Sequence, residues 1–145
     1  MSEKSIIGDK RLFYKFNISQ RVLLKHVNRE MTKKLGVPAI HTAALFYLLE
    51  HDGCLSKDLS QVLFQNKSAT TTLVERMIKN GLISKTSSAT DGRASHIFLT
   101  DKGHDIGERA RPLVNDFNDE LLEHFTTAEL EVIHRFLDTI IEKYS

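Results

Sequence analysis

The chain has 145 residues, with 41% hydrophobic and 27% charged side chains, which describes one folded domain, or one domain with an extension, around a buried core rather than a disordered polymer. No stretch approaches the ~20 apolar residues of a membrane span, the first residues lack the apolar run of a secretion signal, and a single cysteine cannot form an internal disulfide or a cysteine-based zinc site. A cytoplasmic location and no membrane partner are expected. The net charge of +1 conceals an asymmetry: residues 1–104 hold 16 Lys/Arg against 9 Asp/Glu, and residues 105–145 hold 4 against 10. A basic body of this kind attracts polyanions, nucleic acid above all.

In chain order, a first helix is expected from about Lys10 to Lys34, with Phe13, Phe16, Leu23, Val27 and Met31 on one stripe. Gly36 and Pro38 stop it. A second helix covers Ala39 to Glu50, with Ala44, Leu45, Leu48 and Leu49 as its apolar face, and His51-Asp52-Gly53 ends it. Ser56 reads as the N-cap of a short helix reaching Phe64, with Asp58 in its first turn. After a break at Gln65-Asn66, a fourth helix takes Lys67 to Asn80 and turns Ala69, Leu73, Met77 and Ile78 inward. Gly81 and Leu82 occupy the left-handed and hydrophobic positions of a helix C-terminus.

The period then changes from about 3.6 to 2. Residues 82–87 and 95–100 form a hairpin around a loose tip, with Ile97 and Leu99 on one face. Thr100 caps a fifth helix carrying Ile106, Ala110, Leu113, Phe117 and Leu121; Pro112 inside it should kink or restart it. Thr126 to Glu129 fits a capping box, and the last helix places Leu130, Ile133, Leu137, Ile140 and Tyr144 on one side. The fold class is therefore mostly α with a small β-hairpin wing: a winged helix-turn-helix (37–100) flanked by N- and C-terminal dimerisation helices (1–36 and 101–145). The outer helices carry more apolar surface than one small core absorbs, so a homodimer is expected.

The wing segment Asp91-Gly92-Arg93 followed by Ile97, Leu99-Thr100 and Gly103, together with Leu73, Arg76, Gly81, Leu82 and Ile83 before it, resembles the MarR family of bacterial transcription regulators over essentially the whole length. The resemblance implies a cytoplasmic homodimer, not an enzyme and without a cofactor, that binds double-stranded DNA at a near-palindromic operator, acts as a repressor and is released by a small, aromatic or phenolic effector. The alternative is a winged-helix dimer that binds protein and no longer reads DNA. The expected DNA-binding residues are Gln65, Lys67, Ser68, Thr70, Thr71, Thr72 and Arg76 on the fourth helix, whose N-terminal half would meet base edges. In the wing they are Lys85, Asp91, Arg93 and Ser95, Arg93 reaching into a minor groove and Asp91 holding it in pose. Two positions depart from the family pattern: Lys85 and Thr72 stand where Arg is usual, and Lys offers a point charge in place of Arg's fork. Phe13, Phe16, His41, Ala44 and Leu45 are the expected effector-cleft residues, His41 meeting a carboxylate or phenol. The seven histidines include no helical pair at chelating spacing, so no metal site is expected. Cys54 reads as a small filler in the turn before the third helix; the neighbouring Lys57 leaves a lowered thiol pKa open.

Overall fold

A computed structural model describes residues 11–87 and 95–145. Its elements in order are α1 (Leu12–Leu35), α2 (Ala39–Glu50), β1 (Cys54–Leu55), α3 (Ser56–Val62), α4 (Lys67–Lys79), β2 (Ile83–Ser87), β3 (Ser95–Leu99), α5 (Asp101–Leu122) and α6 (Thr127–Tyr144). The chain forms two compact units, Met1–Ala110 and Arg111–Ser145. None of the helices among the described residues is long and apolar enough to cross a membrane.

In the first unit, α2, α3 and α4 close over a core of Ala44, Leu45, Leu48, Leu59, Leu73, Val74, Met77, Leu82, Ile83 and Ile97. The sheet is antiparallel with strand order β1-β3-β2. Ile83 pairs with Leu99 and Lys85 with Ile97 on one side of β3, and Cys54 pairs with Ile97 on the other. Cys54 thus lies in a third strand, not in a turn. With only two residues β1 has no periodicity of its own, and its pairing to β3 is supplied from 43 positions away along the chain.

The helix ends follow local chemistry. α4 closes in a Schellman motif: Gly81 has φ +74, its N–H donates to the Ile78 carbonyl at 2.9 Å, and the Leu82 N–H donates to Met77 at 2.9 Å. Thr126 and Glu129 form the expected capping box, at 3.2 and 3.0 Å, and these bonds hold the Glu129 carboxyl below its ordinary pKa. Ser56 is not the N-cap of α3. Leu55 holds that position in extended backbone because it still belongs to β1, and Asp58 caps backwards by accepting from the Leu55 N–H at 2.9 Å. α2 begins at Pro38 without a side-chain cap of its own; Asn28 Oδ1, on α1, accepts from the Ala39 N–H at 2.7 Å instead. Ala69 and Ile78 do not face inward on α4. Leu73 and Met77 are buried as expected, and Thr70 and Val74 complete the inward stripe in place of Ala69 and Ile78.

Pro112 does not restart α5, which is one helix from Asp101 to Leu122. In the second unit α6 has no buried residue, and Val132, Ile133, Leu137 and Ile141 are exposed along it. α1 likewise buries Met31 alone, leaving Phe13, Val22 and Leu24 in solvent.

Candidate nucleic-acid interface

Helix α4 is mounted on the core by one face and presents the other to solvent. Asn66 is its N-cap, with Oδ1 accepting from the Ala69 N–H at 2.7 Å, and no acidic residue occupies the first turn. The uncompensated positive end of the helix and its outward N–H groups favour an anion such as phosphate. Asn66 is therefore a cap and not part of a break, the role that Asn commonly takes directly before the first residue of a helix.

Lys67, Ser68, Thr71, Thr72 and Arg76 are exposed on α4, and Gln65 is half-buried just before it. The hydroxyls of Thr71 and Thr72 donate to the carbonyls of Lys67 (2.9 Å) and Ser68 (3.2 Å). Their oxygens retain lone pairs, so both exposed hydroxyls can still accept from a base amino group. Thr70 is a correction to the expected DNA-binding set. It is 1% exposed, accepts from Ser60 Oγ at 2.8 Å and donates to Gln65 Oε1 at 3.4 Å. Its hydroxyl therefore joins α3 to α4 and is out of reach of a duplex.

In the wing, Lys85 is exposed on β2, opposite Ile97, and Ser95 is half-buried at the start of β3, opposite Ser87. Asp91 and Arg93 lie outside the described residues. The wing root is fixed to the α2–β1 turn: Asp52 Oδ1 accepts from the Leu99 N–H at 2.7 Å, and the Gly53 N–H donates to the Ile97 carbonyl at 2.8 Å.

A cleft of about 530 Å³ opens beside α4. Leu24 and Asn28 of α1, Pro38 to His41 with Ala43 of α2, and Gln65, Ala69, Thr72, Leu73 and Arg76 around α4 line it. Of the five residues expected in an effector cleft, His41 lines this one. Ala44 and Leu45 are wholly buried in the core, one position round the helix from the cleft, while Phe13 is 82% exposed and, like Phe16, is no part of its wall. The His41 ring is buried and its Nδ1 has no hydrogen-bond partner among the described residues. Burial lowers its pKa below the ordinary 6.5, and the positive charge of Arg76 lowers it further. The cleft thus combines apolar walls, a neutral imidazole and a guanidinium that also belongs to the outer face of α4.

Cys54 is buried, and its thiol pKa is raised to about 11 by burial and then by the negative charge of Asp58. The lowered pKa left open by Lys57 is therefore overturned. Among the described residues no group of three His, Cys, Asp or Glu side chains is placed to hold a metal ion.

A sequence model of the MarR family matches residues 35–94. The chain is 33% identical over 95 residues to the organic hydroperoxide resistance transcriptional regulator of Bacillus subtilis, spanning 61% of this chain and 65% of that relative, under two thirds of its length. It is 24% identical over 115 residues to an uncharacterized HTH-type transcriptional regulator, YsmB, of the same organism, spanning 79% of each. Among solved structures, S. aureus MepR in complex with DNA superposes with a TM-score of 0.84 at 18% identity, covering 91% of this chain and 96% of that one. A mutant MarR from E. coli complexed with operator DNA superposes at 0.81 with 20% identity, covering 97% and 99%. At such identities the structural likeness is one of fold. Over residues 35–94 the chain is thus similar to the MarR family, and it shares the fold of the MarR and MepR structures.

Proposed function

We propose that the chain is a sequence-specific DNA-binding transcription regulator that acts as a repressor. In this reading it binds a near-palindromic operator as a homodimer, with half-sites about one turn, ~34 Å, apart. The observation that carries this is α4: a helix fixed to the core by Thr70, Leu73, Val74 and Met77, whose other face offers Lys67, Ser68, Thr71, Thr72 and Arg76 around an N-terminus free of acidic residues. Two structural neighbours of the same fold were solved on DNA, one of them on its operator. Arg93 would add a minor-groove contact, held by Asp91, with Lys85 and Ser95 on the backbone beside it.

A small organic molecule releases the DNA in this proposal. The cleft beside α4 supports it, because Thr72 and Arg76 line the cleft and also stand on the exposed side of the helix. The hydroperoxide response in the name of the Bacillus subtilis relative is not carried over, since the single cysteine here is buried with a raised pKa.

The test is selection of bound sequences from a random duplex library at about 150 mM salt, followed by fluorescence anisotropy on the winning duplex. A palindromic motif bound far more tightly than bulk DNA is expected. Binding without a motif that disappears as salt rises would refute the regulator and favour a protein-binding winged helix.

A further inference from the structure

The turn from α3 to α4 holds the single non-glycine residue of positive φ among the described residues, Phe64 at +52°. This turn is itself a Schellman motif: the Phe64 N–H donates to the Gln61 carbonyl at 3.2 Å and the Gln65 N–H donates to Ser60 at 3.0 Å. Phe64 therefore occupies the left-handed position that glycine fills best, and a bulky side chain rarely adopts it. Among the described residues the ring is not packed into the core. Leu63 packs against the core, but the Phe64 ring is 71% exposed. The ring sits at the residue directly before Gln65, the Asn66 cap and the exposed Lys67 and Ser68.

We infer that Phe64 is a further DNA contact, its ring lying against an apolar part of the duplex, a deoxyribose face or a thymine methyl, at the edge of the groove that α4 enters. The inference rests on the DNA-binding reading above. Its particular support is continuity: the exposed ring extends the polar face of α4 by an apolar element, and phenylalanine is among the side chains that meet thymine methyl groups. The contact carries no charge, so it adds affinity without adding to the salt dependence.

The experiment compares the full-length chain with Phe64→Gly and Phe64→Ala, by urea unfolding and by anisotropy on the selected duplex at matched salt. Phe64→Gly should be more stable than the parent, because glycine suits the turn. Both variants should bind on the order of tenfold more weakly with the same salt slope. A duplex carrying deoxyuridine in place of thymine distinguishes the two sources: loss of the Phe64 effect assigns the methyl, and its persistence assigns the sugar. Parental affinity in Phe64→Gly, or weakening in Phe64→Ala alone, would overturn the inference while leaving the regulator standing. A parent chain that prefers no duplex would overturn both.

Discussion

Thr100 Oγ1 donates to the Gly81 carbonyl at 2.6 Å and joins the start of α5 to the end of α4. The same oxygen accepts from the Gly103 N–H at 3.0 Å, and Lys102 Nζ donates to the Asn80 carbonyl at 2.9 Å. The C-terminus of the proposed recognition helix is thereby held by the first turn of α5 and does not end in solvent.

Gly103 is the point of closest approach in that junction. A Cβ there would stand 2.0 Å from the Leu82 carbonyl oxygen, a backbone atom that cannot swing aside. Gly103→Ala should cost about 3 kcal/mol or more of stability. Gly36→Ala, at φ +76 with nothing within 4 Å, should cost only about 1–2 kcal/mol. Urea midpoints of the two variants check this; equal losses would show that the α4–α5 junction yields.

Thr70 and Lys67 separate stability from binding on one helix. Thr70→Val removes the acceptor of Ser60 and should cost about 1 kcal/mol of stability while leaving operator affinity unchanged. Lys67→Ala should do the reverse, weakening binding evenly across sequences and reducing the salt slope by about 1. Reduced operator affinity in folded Thr70→Val would show that this hydroxyl does reach the duplex.

Much of this arrangement was legible in the sequence because it is local. Gly81-Leu82, the Thr126 box and the Thr100 cap each depend on residues a few positions apart, and the two hairpin strands show in their own alternation. What was missed depends on distant partners. β1 exists because β3 lies beside it, Asn28 caps a helix eleven residues further on, and Thr70 looks like its neighbours Thr71 and Thr72 until α3 is laid against it. The cleft was anticipated only at His41, because the faces of α1 and α2 that meet α4 follow from packing and not from either helix's own pattern.

His41 predicts a pH dependence. Its pKa in the folded chain lies below its unfolded value of 6.5, so the unfolded chain binds the extra proton first. Stability is full above pH 6.5 and falls as the pH drops towards and through the folded value. Urea unfolding of the parent chain should show this loss between pH 7.5 and about 5.5, and His41→Leu should lose less over the same interval. Identical losses in both would place the titrating group elsewhere.

Cys54 should be inert. With its pKa at about 11 rather than 9.0, its thiolate fraction at pH 8 is about a hundredfold below that of an ordinary cysteine. Ellman's reagent should therefore react at least that much more slowly with the native chain than with the chain in urea. An organic hydroperoxide should leave operator affinity unchanged; a drop that Cys54→Ser abolishes would reinstate the thiol as a sensor.

The apolar surfaces of α1 and α6 call for a partner, and a second copy of the chain is the proposed one. Eighteen residues of α6 bury none of their own side chains, yet Val132, Ile133, Leu137 and Ile141 recur at helical spacing, each between 37% and 53% exposed. Leaving such a stripe in water forgoes roughly 25 cal/mol for each Å² that could be covered, and a two-fold interface lets one stripe serve as its own complement. Sedimentation at micromolar concentration should give twice the 16.5 kDa of one chain. The double variant Val132→Glu and Ile141→Glu places carboxylates in that stripe without touching the winged-helix core, so it should sediment as a folded monomer. Because a single copy engages one half-site, its affinity for the full operator should fall by more than tenfold. A parent chain that sediments as a monomer would end the dimer proposal, and a monomeric variant with full operator affinity would show that each copy reads its site alone.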